Sequence, residues 1–218
     1  MVVRWIHKLM IALCCLFVVQ GCGSSNKPVL GNVRGVILDE QNYWIIGYYL
    51  GWAINEASKI DFNSITHLIA YGAIPTQDSQ LDMETEQLVV DGNSQPINDV
   101  VSEAHQTNTK VLLAVGGPSP VAVEGFRSST STPQASILLA QNIHEALDVY
   151  QFDGVEIDWE PLVESDLQRY TDFLEILRSE LGSQALISTK VVASSDVLQQ
   201  LDMQSLKTHV DHVEMIEL

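Results

Sequence analysis

A chain of 218 residues that is 46% hydrophobic and 18% charged can bury one substantial core, which excludes bulk disorder. Its formal charge of −17 disfavours nucleic acid and anionic lipid surfaces as partners and is compatible with a neutral polymer. The three cysteines, Cys14, Cys15 and Cys22, all fall at or before residue 22, so no disulfide is expected beyond it.

Residues 1–21 contain Arg4 and Lys8, no acid, and an apolar stretch over 9–19. That stretch suits the hydrophobic region of an export signal and is shorter than the roughly 20 residues that span a bilayer. The segment closes on Val19-Gln20-Gly21-Cys22, which resembles a bacterial lipoprotein processing site. The resemblance implies a signal peptide over 1–21 and a lipidated Cys22. It also implies a lipid anchor in the bacterial cell envelope, at the outer membrane or cell surface. Residues 22–43 read as a tether and lead-in, opening on the small, polar run Gly23 to Pro28.

From residue 44 the pattern alternates. Runs rich in β-branched and aromatic residues at 44–49, 66–71, 110–115, 152–159, 185–192 and 211–218 predict six strands. Apolar residues recurring at three and four predict amphipathic helices over 96–107, 133–150 and 167–181, as in Ile137, Ala140, Ile143 and Leu147. Near-continuously apolar strands separated by helices imply a parallel sheet covered by helices, an α/β fold. Barrel and doubly wound sheet both satisfy the pattern at this level.

The chemistry concentrates in Phe152-Asp153-Gly154-Val155-Glu156-Ile157-Asp158-Trp159-Glu160-Pro161. Side chains alternate along a strand, so Glu156, Asp158 and Glu160 share one face while Val155, Ile157 and Trp159 pack on the other. Same-face neighbours are roughly 7 Å apart, close enough for like charges to raise at least one carboxyl pKa. Asp153 and Gly154 read as the turn that enters the strand. The six histidines show no ligand-like spacing near these acids, so no metal and no cofactor is expected.

The run from Asp153 to Glu160 resembles the fourth-strand signature of family 18 glycoside hydrolases, the chitinase-like enzymes. Gly47-Tyr48-Tyr49-Leu50-Gly51-Trp52 is similar to the family's first strand, Thr66 to Tyr71 to its second, and Ala114-Val115-Gly116-Gly117 to its third. The resemblance covers residues 44–218 in the family's order and implies a (β/α)8 TIM barrel, here apparently incomplete with about six β/α units. It implies hydrolysis of β-1,4-linked N-acetylglucosamine polymers, chitin or related glycans, by substrate-assisted retaining catalysis. Glu160 would be the acid, Asp158 would orient the acetamido group, and Glu156 would sit behind Asp158 sharing a proton. Tyr48, Tyr71, Gly116 and Gly117 would line the sugar site.

Three positions depart from the family's pattern. Glu156 stands where the family usually has Asp, and Pro118 follows the third-strand glycines where chitinases often have Trp. Ile216, Glu217 and Leu218 replace a Met, a variable residue and a Tyr at the end of the sixth strand. Together with the short length these lead to the expectation of a C-terminally truncated barrel of reduced activity. The alternative is a catalytically impaired surface protein of the same fold that binds chitin or N-acetylglucosamine.

Overall fold

In a computed structural model of the chain, residues 43–52, 59–192 and 195–216 are described. The leader, Cys22 and the tether lie outside them, as do Glu217 and Leu218.

The sheet is built from β1 (Ile46–Leu50), β2 (His67–Pro75), β3 (Leu81–Asp82), β4 (Lys110–Gly117), β5 (Gly154–Trp159), β6 (Leu186–Val192) and β7 (His212–Ile216). Strands β1-β2-β4-β5-β6-β7 lie side by side, all parallel, and β3 pairs antiparallel with the end of β2. The connections are α1 (Gln95–Gln106), α2 (Pro120–Ser129), α3 (Pro133–Tyr150), α4 (Leu167–Leu181), α5 (Ser195–Gln200) and α6 (Met203–His209). This is an α/β half-barrel of parallel strands, the topology the alternating pattern implies.

The two faces of the sheet do different things. Outward residues of the strands, among them Leu68, Val111, Leu113, Val115, Val155, Ile157, Trp159 and Ile187, form one core with the apolar stripes of the helices. Burying each large apolar side chain is worth about 1.5–3 kcal/mol, so this outer layer dominates stability. Trp159 stacks on Phe126 of α2 with ring centroids 4.9 Å apart, as alternation along β5 requires. The inner face carries a smaller cluster, Ile69, Leu112 and Ala114 with Trp44, Ile46, Tyr71 and Leu186 against it. Trp44 lies stacked between His67 and His212, at 3.6 and 4.5 Å, tying the start of β1 to β2 and β7.

Local chemistry sets the element bounds. The helices predicted over 133–150 and 167–181 occur with those bounds. Thr132 caps α3 by accepting from the Ala135 N–H, Pro133 fits its first turn, and Gly182 at φ +71 ends α4. The sequence reading has no element over 120–129, yet α2 occupies it with the same start, a Ser119 cap followed by Pro120.

Asp153 does more than turn the chain. Its carboxylate accepts from the Val111 N–H at 2.9 Å, from Lys110 Nζ at 2.6 Å and from His105 Nε2 at 2.8 Å, while its own N–H donates to the Val111 carbonyl. Burial works against the charge, but these donors outweigh it and hold the pKa below the usual carboxylate range. Asp211 repeats the device before β7, accepting from the Ile187 N–H at 2.8 Å and from Arg178 Nη2 at 2.6 Å. In each case an aspartate at the strand entrance fixes the register with the preceding strand. Gly154 is required beside it, since a Cβ there would lie 2.0 Å from the Leu186 carbonyl oxygen.

Candidate active site

The inward residues toward the C-terminal end of the sheet are Tyr48, Tyr71, Glu156, Asp158, Lys190 and Glu214, with Glu160 immediately after β5. The pairing of β5 with β4 sets Glu156 beside Ala114 and Asp158 beside Gly116, small neighbours that leave room over the acids. Glu156 is 0% and Asp158 1% exposed, whereas Glu160 is partly exposed at the mouth.

Each acid has a distinct environment. Glu156 accepts from the Tyr48 hydroxyl at 3.1 Å and from the Ser188 hydroxyl at 3.4 Å. Burial pushes its pKa up to about 7, with Glu214 adding to the rise and Lys190 opposing it. Asp158 accepts from Lys190 Nζ at 3.0 Å through Oδ2, while Oδ1 is buried with no hydrogen-bond partner among the described residues. Burial raises the pKa of Asp158, and Lys190 counteracts this. Burial, then the Asp158 charge, raises the pKa of Glu160. Glu160 therefore keeps a proton to higher pH than a free glutamic acid, the condition for a general acid.

Tyr48 reaches two carboxylates with one hydroxyl, Glu214 Oε2 at 2.5 Å and Glu156 Oε1 at 3.1 Å. Its single proton can serve only one of them at a time. The ring is 40% exposed and presents a face to the concave side, with Lys190 Nζ 5.0 Å from its centroid.

Tyr71 is half-buried, and burial with nearby Asp158, Glu86 and Glu160 pushes its pKa up to about 12. Trp52, 50% exposed, meets its ring edge-on at 6.3 Å. The two glycines at the end of β4 make these approaches possible. A Cβ at Gly116 would lie 2.2 Å from the Asp158 carbonyl oxygen and 2.6 Å from the Phe126 ring, and one at Gly117 would overlap the Tyr71 hydroxyl. Both have φ near +120, a region that disfavours other residues.

Residues 44–217 match the family Glycosyl hydrolases family 18. The chain belongs to that family. It is similar to Chitinase 1 of Aphanocladium album, 25% identical over an alignment 202 positions long that covers 78% of this chain and 46% of that protein. Among solved structures it resembles a chitinase from Bacteroides thetaiotaomicron, with a TM-score of 0.65, 21% identity and coverage of 78% of this chain and 52% of that one. It also resembles the family GH18 chitinase of Cycas revoluta in complex with allosamidin, with a TM-score of 0.69, 16% identity and coverage of 80% and 55%. The chain thus spans about half the length of these relatives.

Within the family 18 fold, the residues singled out from the sequence fall in two places. Glu156, Asp158, Glu160, Tyr48, Tyr71, Gly116 and Gly117 gather at one end of the sheet, while Asp153 and Gly154 lie at the opposite end of β5. Sequence reasoning missed Lys190 and Glu214, which lie in runs read only as strands. The available signal was period two: Leu186, Ser188 and Lys190 share a face, as do His212 and Glu214, and in a parallel sheet those faces turn toward the acids of β5. Among the described residues no group of three or more His, Cys, Asp or Glu is placed to hold a metal ion.

Proposed function

We propose that the chain is a glycosidase of β-1,4-linked N-acetylglucosamine polymers, chitin or related glycans, acting by substrate-assisted retaining catalysis. The observation that carries this reading is Asp158, whose buried Oδ1 has no partner beside the proton-holding Glu160. An unpaired buried carboxylate oxygen is costly unless a ligand donor completes it. The acetamido N–H of a sugar bound on the concave face supplies such a donor. Its carbonyl oxygen then attacks the anomeric carbon while Glu160 protonates the departing glycosidic oxygen, giving an oxazolinium ion. Water opens that ion as the Glu160 carboxylate takes the water's proton, which restores the acid.

Tyr48 offers a ring face, and Tyr71 a ring and a hydroxyl, to the sugar in the same site. The chitinases among the relatives support the substrate class, as does a mutant of the Cycas enzyme solved with (GlcNAc)4. The test is hydrolysis of N-acetylchitotetraose beside cellotetraose, which has the same linkage but a hydroxyl in place of each acetamido group. Cleavage of the first alone is expected. Cleavage of both at similar rates would remove the role given to the acetamido group, and binding of the first without turnover would make the protein a sugar-binding member of the family.

We also propose that a lipid on Cys22 anchors the chain at the cell envelope. Palmitate labelling that persists in Cys22→Ser would contradict that placement.

A further inference from the structure

Lys190 is the one cation against the acids of the site among the described residues, and nothing in the proposed chemistry uses it. Its position follows from register. Pairing of β5 with β6 runs to Ile157 and Thr189, so the next position outward sets Asp158 beside Lys190, and pairing of β6 with β7 sets Lys190 beside Glu214. The lysine thus has an acid on each neighbouring strand. Its side chain is 14% exposed, Nζ lies 3.0 Å from Asp158 Oδ2 and 3.9 Å from Glu156 Oε1, and the Tyr48 ring from β1 lies at 5.0 Å. Lysine is seldom buried without a purpose, and here the opposing carboxylates hold it charged.

We propose that Lys190 is a positioning residue for the reaction: its ammonium, and not a proton shared with Glu156, fixes the Asp158 carboxylate so that Oδ1 is left to accept from the acetamido N–H. The inference rests on the reading of the site given above and adds to it the group that orients Asp158. The geometry requires this division of labour. Asp158 Oδ2 is taken by Lys190, Glu156 is taken by Tyr48 and Ser188, and the one oxygen without a partner is Asp158 Oδ1. Two carboxylates packed together normally need a proton between them to relieve their repulsion, and an ammonium that reaches both does the same work. Lys190 also acts on Glu160, where its charge opposes the rise in pKa caused by burial and by Asp158. The charged and titratable groups facing it are Asp158 and Glu156 on β5, Glu214 on β7, Tyr48 on β1 and Glu160 at the end of β5.

The test is a double-mutant cycle read by calorimetric binding of (GlcNAc)4 to the full chain, with Glu160→Gln as the parent to prevent turnover. Lys190→Met and Asp158→Asn are each expected to weaken binding about tenfold, and the double variant no more than either alone, because both remove the same hydrogen bond. Lys190→Arg keeps the cation and is expected within about threefold of the parent, which guards against a Met variant that misfolds. With Glu160 intact, Lys190→Met should move the alkaline limb of hydrolysis to higher pH, since the cation that favours ionised Glu160 is gone, and Lys190→Arg should leave it in place. Losses that multiply in the double variant, or Lys190→Met binding as the parent does, overturn the inference and leave the glycosidase reading standing. A folded parent that does not take the sugar overturns both.

Discussion

Glu160→Gln is expected to abolish turnover of N-acetylchitotetraose while the sugar still binds, with a fall in kcat of about 10²–10⁴-fold, the usual contribution of a positioned general acid. Glutamine keeps the size and one hydrogen-bonding oxygen but has no proton to give at catalytic strength. Loss of kcat at nearly unchanged KM separates this from a packing defect, because the interaction removed exists only in the transition state. The pH profile of the unaltered chain carries the same signature. In the proposed mechanism Glu160 acts protonated and Asp158 ionised, so the rate is expected to fall as pH rises through the pKa of Glu160 and to fall as pH drops through that of Asp158. Burial raises both, which moves the active window above that of free carboxylic acids. In Glu160→Gln no residual rate should follow the alkaline limb, and an unchanged limb would assign the acid to another group.

The second large effect is structural. Gly116→Ala is expected to destabilise the fold by about 3 kcal/mol or more, since an L-residue in this backbone region costs about 1–3 kcal/mol and overpacking about 1–3 more. The overpacking follows from a Cβ placed 2.2 Å from the Asp158 carbonyl oxygen, where backbone, not a flexible side-chain tip, would have to move. For a domain of this size the melting temperature should fall by about 10 °C. Gly92→Ala is the control. Gly92 has φ +72 but nothing within 4 Å of its Cβ position, so it isolates the conformational cost, about 1 kcal/mol. Equal losses at the two sites would mean that the contact with β5 contributes nothing. Because Gly116 abuts the backbone of Asp158, the variant should also lose activity in whatever fraction stays folded.

Those expectations depend on features of unequal visibility in the sequence. The acidic strand was legible because period two separates Glu156 and Asp158 from Val155, Ile157 and Trp159, and the fold uses that separation: the acids turn inward and Trp159 stacks outward on Phe126. The helices over 133–150 and 167–181 were legible because apolar residues recur at three and four along both, and Thr132 marks the start of the first and Gly182 the end of the second. Lys190 was not. Its partner Asp158 lies 32 residues away on another strand, and only the sheet register brings them to 3.0 Å. Glu214 was hidden in the same way, reaching Tyr48 from 166 residues away across the concave face. Asp153 was visible as a residue but not as a clamp, because the Val111 N–H it binds is on a strand it cannot be matched to without the register. What sequence pattern conveys is which face a residue takes within its own element. The electrostatics of the site come from neighbours on adjacent strands.

The departure at Glu156 gains a physical account from the same geometry. The longer glutamate side chain reaches Tyr48 and Ser188, and Asp158 is left to Lys190.

In the proposed mechanism the substrate's own acetamido group, oriented by Asp158, is the nucleophile. Proton NMR of the reducing ends released in the first minutes from N-acetylchitotetraose tests it most directly, since attack from within the substrate followed by water gives two inversions. The new reducing ends are expected to appear first as the β-anomer and only later to equilibrate. Initial release of the α-anomer would require a single direct attack by water and would contradict the mechanism.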